Sequence, residues 1–172
     1  MKHVRYSVVP PKGDRIHYVN QEDVEVLLSR LPEELWQRLR GVHFNDRGLG
    51  GRALGYTNFG LQDIAICALP PRVSLTAACR HDRTSPAEFG ADFGRQWPVL
   101  AVRRFMLYDV LLHEIGHLQV FEARRPSRRL RFFGEKLAQE FANLWRHRLW
   151  SVPFDHPDPV HNRPVCTSGF RV

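Results

Sequence analysis

The feature that most constrains the fold of this chain is an apolar segment of helix length, residues 98–121, which contains His-Glu-Ile-Gly-His at residues 113–117. Residues four apart on an α-helix lie about 40° apart around its axis, so the two imidazoles project from one face. His113 and His117 can therefore meet on one metal ion, which for zinc lies about 2.0–2.1 Å from each nitrogen. Leu112, Ile115 and Leu118 give this helix an apolar side. The pattern predicts a metal-binding helix held in the core.

Glu114 supplies a base beside the two histidines. It precedes His117 by three residues, so its carboxylate is expected to hold a water molecule polarised by the metal rather than the metal itself. Zinc lowers the pKa of such a water to about 7, and a carboxylate can take its proton and pass it to a leaving amine. The alternative, two ordinary histidines in a core helix, is less favoured because the pattern rarely arises by chance. We therefore predict one zinc ion per chain.

A catalytic zinc site needs a third protein ligand. No histidine follows the motif at short spacing, and Glu135 and Glu140 are the carboxylates that come soonest on the next predicted helix. At about 100° per residue, both border the buried face of that helix. Glu135 lies on the same side as Ala138 and Ala142, where small side chains let two helices approach closely. Helix geometry therefore favours Glu135 as the third ligand and leaves Glu140 open.

The motif, followed by Glu135-x-x-Ala138-x-x-Phe141-Ala142, resembles the gluzincin metallopeptidases. It is closest to the minigluzincins and to the ImmA/IrrE-type peptidases, over about residues 98–147. The resemblance implies a peptidase whose third zinc ligand is Glu135, with a small sheet whose edge strand binds extended peptide. Thermolysin-like enzymes place an Asp four residues after the ligand, where this chain has Gln139. A glutamine can accept an imidazole N–H bond but brings no negative charge.

The remainder of the chain predicts an α+β domain over residues 1–150 and a Pro-rich irregular tail over residues 151–172. Further helices are predicted at 20–30, 32–39 and 131–150, a short helix at 85–88, and strands at 42–44, 53–59 and 63–69. We expect a small mixed or antiparallel sheet of three to four strands, packed on the motif helix and the glutamate helix in a zincin-like arrangement. Either 63–69 or an extra strand at 73–75 would be the substrate-binding edge, and 79–96 would be an extended connection.

Peptide hydrolysis also needs a donor that stabilises the oxyanion. Tyr56, His147 and His161 are the candidates, and the sequence does not choose among them. The tail contains His156, His161 and Cys166, each of a residue type that can fill the open zinc position and keep the enzyme latent. The alternative for each of these residues is an ordinary structural role.

Charge and cysteine content limit the remaining possibilities. The net charge is +7, and five arginines lie between Arg124 and Arg131. Such a cluster can bind nucleic acid, but no recognised binding module accompanies it, so a solvated basic loop is favoured. The alternative function is therefore a catalytically silent, metal-binding regulatory module that touches nucleic acid through this segment. The three cysteines form no close pair, and no stretch is suited to export or to a membrane, so a cytoplasmic protein is expected.

Overall fold

The structure is a computed structural model that describes residues 3–48, 53–92, 94, 96–119 and 128–165. Its fold combines a four-stranded sheet with helices. In chain order the elements are β1 (Arg5–Val8), α1 (Gln21–Ser29), α2 (Glu33–Trp36), β2 (Gly41–Asn45), β3 (Gly55–Asn58), β4 (Asp63–Cys67), α3 (Thr76–Asp82), α4 (Val99–Phe105), α5 (Leu112–Gln119) and α6 (Arg128–Ser151). A π-helical segment, Met106–Leu111, joins α4 to α5, and short 3-10 turns cover Pro86–Phe89 and Pro159–His161. The predicted α+β class is confirmed.

The strand order of the sheet is β1-β2-β4-β3. β1 pairs with β2, and β2 with β4, in parallel, whereas β3 runs antiparallel to β4. The expectation that residues 63–69 form an edge strand is therefore wrong, because β4 lies between two others and all five of its residues are buried. Residues 73–75 form no strand, and β3 is the edge next to the motif helix. An apolar run predicts a buried strand, but strand order depends on long-range pairing that the run does not encode.

Most predicted helices are confirmed, with small shifts at their ends. Asn20 caps α1: its Oδ1 accepts from the backbone N–H of Asp23 at 2.9 Å, and the Asp23 carboxylate accepts from the Asn20 N–H at 3.0 Å. α6 begins at Arg128 rather than near residue 131. α3 was missed, since residues 79–96 were expected to be extended. The N-cap residue before it, Leu75, makes no side-chain capping hydrogen bond, so the usual start signal is absent.

Close approach of α5 and α6 brings the two predicted ligand-bearing helices together. A Cβ atom on Gly116 would lie 2.9 Å from the backbone of Ala138, closer than any normal side chain allows. Ala138 and Ala142 are fully buried, as expected for small residues in a tight helix contact. Above them, the core side chains Val42 and Ile64 fill the face of the sheet that packs on the helices. Glycine and alanine therefore set the distance between the two helices.

The described part of the segment after α6 has one 3-10 turn and otherwise no regular secondary structure, and it packs against the rest of the chain. Asp158 accepts two hydrogen bonds from the guanidinium of Arg103, at 2.6 and 3.2 Å. Arg30 donates to the carbonyl oxygen of His161 at 3.0 Å, and Val160 and His161 are buried. Among the described residues, no helix has the length and apolar character needed to cross a membrane.

Candidate metal centre

Three predicted ligands converge between α5 and α6. The Glu135 carboxylate lies between the two imidazoles, with Oε2 3.2 Å from Nε2 of His113 and Oε1 3.4 Å from Nε2 of His117. One donor atom from each residue falls within 4.8 Å of the other two. Two imidazole nitrogens and one carboxylate match the donor set of many catalytic zinc sites, and other divalent transition metals accept the same donors. The residues therefore fit a divalent metal ion.

Glu140, the alternative third ligand, points elsewhere. It lies five residues after Glu135, which places it about 140° further around α6. Its carboxylate is 59% exposed and lies 3.8 Å from the ammonium group of Lys136. The structure therefore brings Glu135, and not Glu140, to the histidines.

The charges of these groups are strongly coupled. Burial lowers the pKa of His113, but the hydrogen bond to Glu135 and the negative charge of Glu114 outweigh burial and raise that pKa to about 9. Hydrogen bonds from His113 and His117 hold the pKa of Glu135 well below its usual range. Without a metal, the contact with Glu135 thus favours the protonated form of His113. A metal cation must displace that proton in order to bind.

Glu114 lies on α5 beside the ligands, and its side chain is buried. The hydroxyl of Thr57, on β3, lies 2.8 Å from Oε2 of Glu114 and 3.1 Å from its carbonyl oxygen. Burial raises the pKa of Glu114, while the nearby imidazoles lower it in part. Sequence reasoning did not identify Thr57. In the sequence, Thr57 is marked only by its place in a predicted strand. A strand prediction does not show which groups the side chain contacts.

A cavity of about 560 Å³ opens onto the centre. Its walls come from β3, the end of α3, the π-helical segment and α6, and they include the three ligands and Glu114. Gly55 lets β3 approach the motif helix, since a Cβ there would lie 2.8 Å from Cγ1 of Val110. The edge strand of the sheet therefore forms one wall of the cavity.

The three candidate oxyanion donors do not point their polar groups at the metal centre. The Tyr56 hydroxyl accepts from Asn45 at 2.7 Å on the outer face of the sheet, since strand side chains alternate and Thr57 faces Glu114. His147 lies 3.4 Å from the Glu88 carboxylate, and His161 is buried against Tyr108. Arg131, one turn before Glu135 on α6, does line the cavity. It was expected only as a member of the basic segment.

Two of the candidate blocking residues of the tail, His156 and His161, lie apart from the centre. The His156 ring packs edge-to-face on that of His161 at 4.8 Å, and neither residue lines the cavity. Cys166 lies outside the described residues, as do Arg124 and Arg125 and the side chain of Arg128 in the basic segment. Most arginine side chains of the basic segment, for which nucleic-acid contact is the alternative interpretation, thus lie outside the description.

Family models, curated proteins and solved structures were each compared with the chain, and none of them matches it. Support for a metal centre therefore comes from the side-chain geometry around α5 and α6.

Proposed function

We propose that the protein is a zinc-dependent peptidase with a zincin-like fold of the gluzincin type. His113, His117 and Glu135 would hold one zinc ion, and Glu114 would serve as the general base. The observation that supports this most strongly is the convergence of three donor atoms within 4.8 Å at the wall of an open cavity. This donor set leaves room at the ion for water and a substrate carbonyl, as hydrolysis requires.

When bound, zinc would supply Lewis-acid polarisation and lower the pKa of water. Glu114 would then accept a proton from water and deliver it to the amine that leaves the cleaved peptide. Burial raises the pKa of this carboxyl, so proton transfer in both directions is easier near neutral pH than for an exposed glutamate. Thr57 holds the carboxylate through its 2.8 Å hydrogen bond to Oε2. That contact fixes the direction from which Glu114 reaches the water.

The substrate is expected to be an extended peptide lying along β3. Within the described part of the chain, β3 is paired only with β4, so its other edge is available for hydrogen bonds beside the cavity. An added peptide strand at such an edge gains main-chain hydrogen bonds whatever its sequence. This assigns substrate binding to Gly55–Asn58 rather than to residues 63–69 or 73–75.

Metal content and peptide cleavage test the proposal together. Wild-type protein, purified without chelator and then offered zinc, should contain one zinc per chain. Glu135→Ala should lose most of that zinc, whereas Glu140→Ala, the same change on the same helix, should keep it. Glu114→Gln should bind zinc normally and cleave no peptide of a mixed library analysed by mass spectrometry.

Two results would argue against this function. A wild-type protein that takes up no transition metal would show that the histidines are structural. Zinc uptake with no cleavage of any library peptide, at several salt concentrations, would favour the metal-binding regulatory module instead.

A further inference from the structure

A chain of partly buried hydrogen bonds lies behind His113, on the side away from Glu135. Nδ1 of His113 lies 2.8 Å from Oε1 of Gln139. The Gln139 amide nitrogen lies 3.1 Å from Oδ1 of Asp109 and 3.2 Å from Oδ1 of Asn143. An amide nitrogen has two hydrogens to donate, and these two oxygens accept both. The amide is therefore fixed with its oxygen towards His113, so Nδ1 of that imidazole must be the donor.

The two oxygens that hold Gln139 are themselves held by one guanidinium. Arg146 donates to Oδ1 of Asp109 at 2.7 Å and to Oδ1 of Asn143 at 2.9 Å. It also donates to the Glu88 carboxylate at 3.1 Å. The side chains of Arg146 and Asp109 are 1% and 2% exposed, so this ion pair is shielded from water. Removing Arg146 would leave the buried Asp109 carboxylate without its cation, whereas removing Asp109 would leave Arg146, among the described residues, only the Glu88 carboxylate.

We propose that Gln139 is a positioning residue for His113, and that Asp109, Asn143 and Arg146 hold its amide in place. The inference rests on the proposed metal centre and identifies how one of its ligands is oriented. When the imidazole is neutral and its Nδ1 proton is donated to Gln139, Nε2 carries the lone pair that faces Glu135 and the cavity. A free imidazole can exchange its two tautomers and rotate, whereas this one is held in the form that can bind a metal.

The arrangement differs from a direct carboxylate–histidine pair in its charge. Gln139 offers His113 a dipole rather than a negative charge. The nearest carboxylate behind it, Asp109, is neutralised by Arg146. Gln139 thus orients the ligand through a hydrogen bond and places no negative charge of its own beside it.

Zinc affinity and a metal-free NMR measurement test this together. Gln139→Met keeps the size of the side chain but removes the acceptor, and should weaken zinc affinity, measured by chelator competition, about 10–100-fold. Gln119→Met is the matched control: among the described residues, the Gln119 amide donates to the carbonyl oxygens of Leu35 and Ile115, so the change should affect zinc affinity little. In the metal-free wild type, the Nδ1 proton of His113 should exchange slowly with water; in Gln139→Met it should exchange fast.

A pair of variants separates positioning from general support of the fold. Gln139→Glu places two carboxylates together and should weaken zinc affinity. Adding Asp109→Asn should restore it, because the new amide can donate to the glutamate while Arg146 keeps a negative partner. A purely structural role for Gln139 predicts no such rescue.

The outcomes distinguish this inference from the proposed function. If wild type binds zinc and Gln139→Met binds it equally well, Gln139 does not position the ligand, although the metal centre stands. If wild type binds no zinc, the metal centre and the role of Gln139 both fail. If Gln139→Met does not fold, the test is the rate at which the His113 Nδ1 proton exchanges with water in metal-free wild type. Fast exchange there overturns the inference.

Discussion

Two buried polar networks meet at neighbouring residues of the π-helical segment, and they end in different surroundings. The Tyr108 hydroxyl accepts from Arg30 at 2.9 Å and lies 3.1 Å from Nδ1 of the buried His161. Asp109, the next residue, leads through Gln139 to His113 and the cavity. We call the first set, with Arg103 and Asp158, the tail network, and the second the site network.

The tail network is satisfied within itself. Arg103 lies between the carboxylates of Asp23 and Asp158, at 2.8 and 2.6 Å. Arg30 donates to the carbonyl oxygen of Leu149, near the end of α6, and to that of His161, in the segment after α6. The network fastens the segment after α6 to α1 and α4.

The site network ends at groups whose partners can be exchanged. Its last members, His113 and Glu135, face a cavity, and their mutual contact can be replaced by contacts to a cation. The two networks use the same kinds of side chain at similar burial. A candidate site therefore differs from a structural network because its last residues face a cavity, and not because it contains other residue types.

Loss of Arg146 should have the largest effect on stability. Arg146→Met leaves Asp109 buried without its cation, and should lower the free energy of unfolding by about 3–5 kcal/mol. Arg103→Met, the matched change in the tail network, should have a smaller effect, because Asp158 is one-third exposed. Urea denaturation measures both. Equal losses of unfolding free energy would mean that the two networks contribute equally to stability.

Removal of the tail should destabilise the protein without activating it. Ending the chain after Ser151 removes the buried side chains of Val160 and His161. Burying one aliphatic side chain is worth about 1.5–3 kcal/mol, so a loss of at least about 2 kcal/mol in unfolding free energy is expected. Faster peptide cleavage at unchanged stability would instead support a blocking role for the tail.

Adding a methyl group at Gly116 should lower stability and also weaken zinc binding. In Gly116→Ala the new Cβ would lie 2.9 Å from the Ala138 backbone, so α5 and α6 must separate. We expect a loss of about 1–3 kcal/mol and weaker zinc binding, since Glu135 moves away from the histidines. Gly60→Ala is the control, because its Cβ would meet only Asn58 Oδ1, at 3.6 Å. Zinc affinity unaffected by Gly116→Ala would show that the helix distance is not critical.

A pH dependence of stability is expected in the site network. Because the pKa of His113 rises from 6.5 to about 9 on folding, its contribution to stability is fully present below pH 6.5. That contribution is lost as the pH rises through about 9. In the metal-free protein, unfolding free energy should fall over this window in wild type and fall less in Glu135→Gln. Zinc affinity should rise over the same pH window, because a smaller fraction of His113 then carries the proton that zinc must displace. Parallel stability curves for the two proteins would contradict this assignment.

Local signals account for the parts that could be predicted. Helix periodicity placed His113 and His117 on one face, and the small residues beside Glu135 favoured it over Glu140. Caps such as Asn20 fixed helix starts, since a cap and its partner lie within one turn. The edge strand, α3 and the partners of Tyr56 could not be predicted in this way, because each depends on contacts between residues far apart in the chain.

The sequence by itself determined the helix that carries His113, Glu114 and His117, because its period and apolar side are properties of a single segment. Only the tertiary structure decided that β3 borders the cavity, that Thr57 holds Glu114 and that Gln139 stands between His113 and a neutralised Asp109. Each of these contacts joins different elements. Their geometry follows from how closely Gly55 and Gly116 let those elements approach, which no single segment encodes.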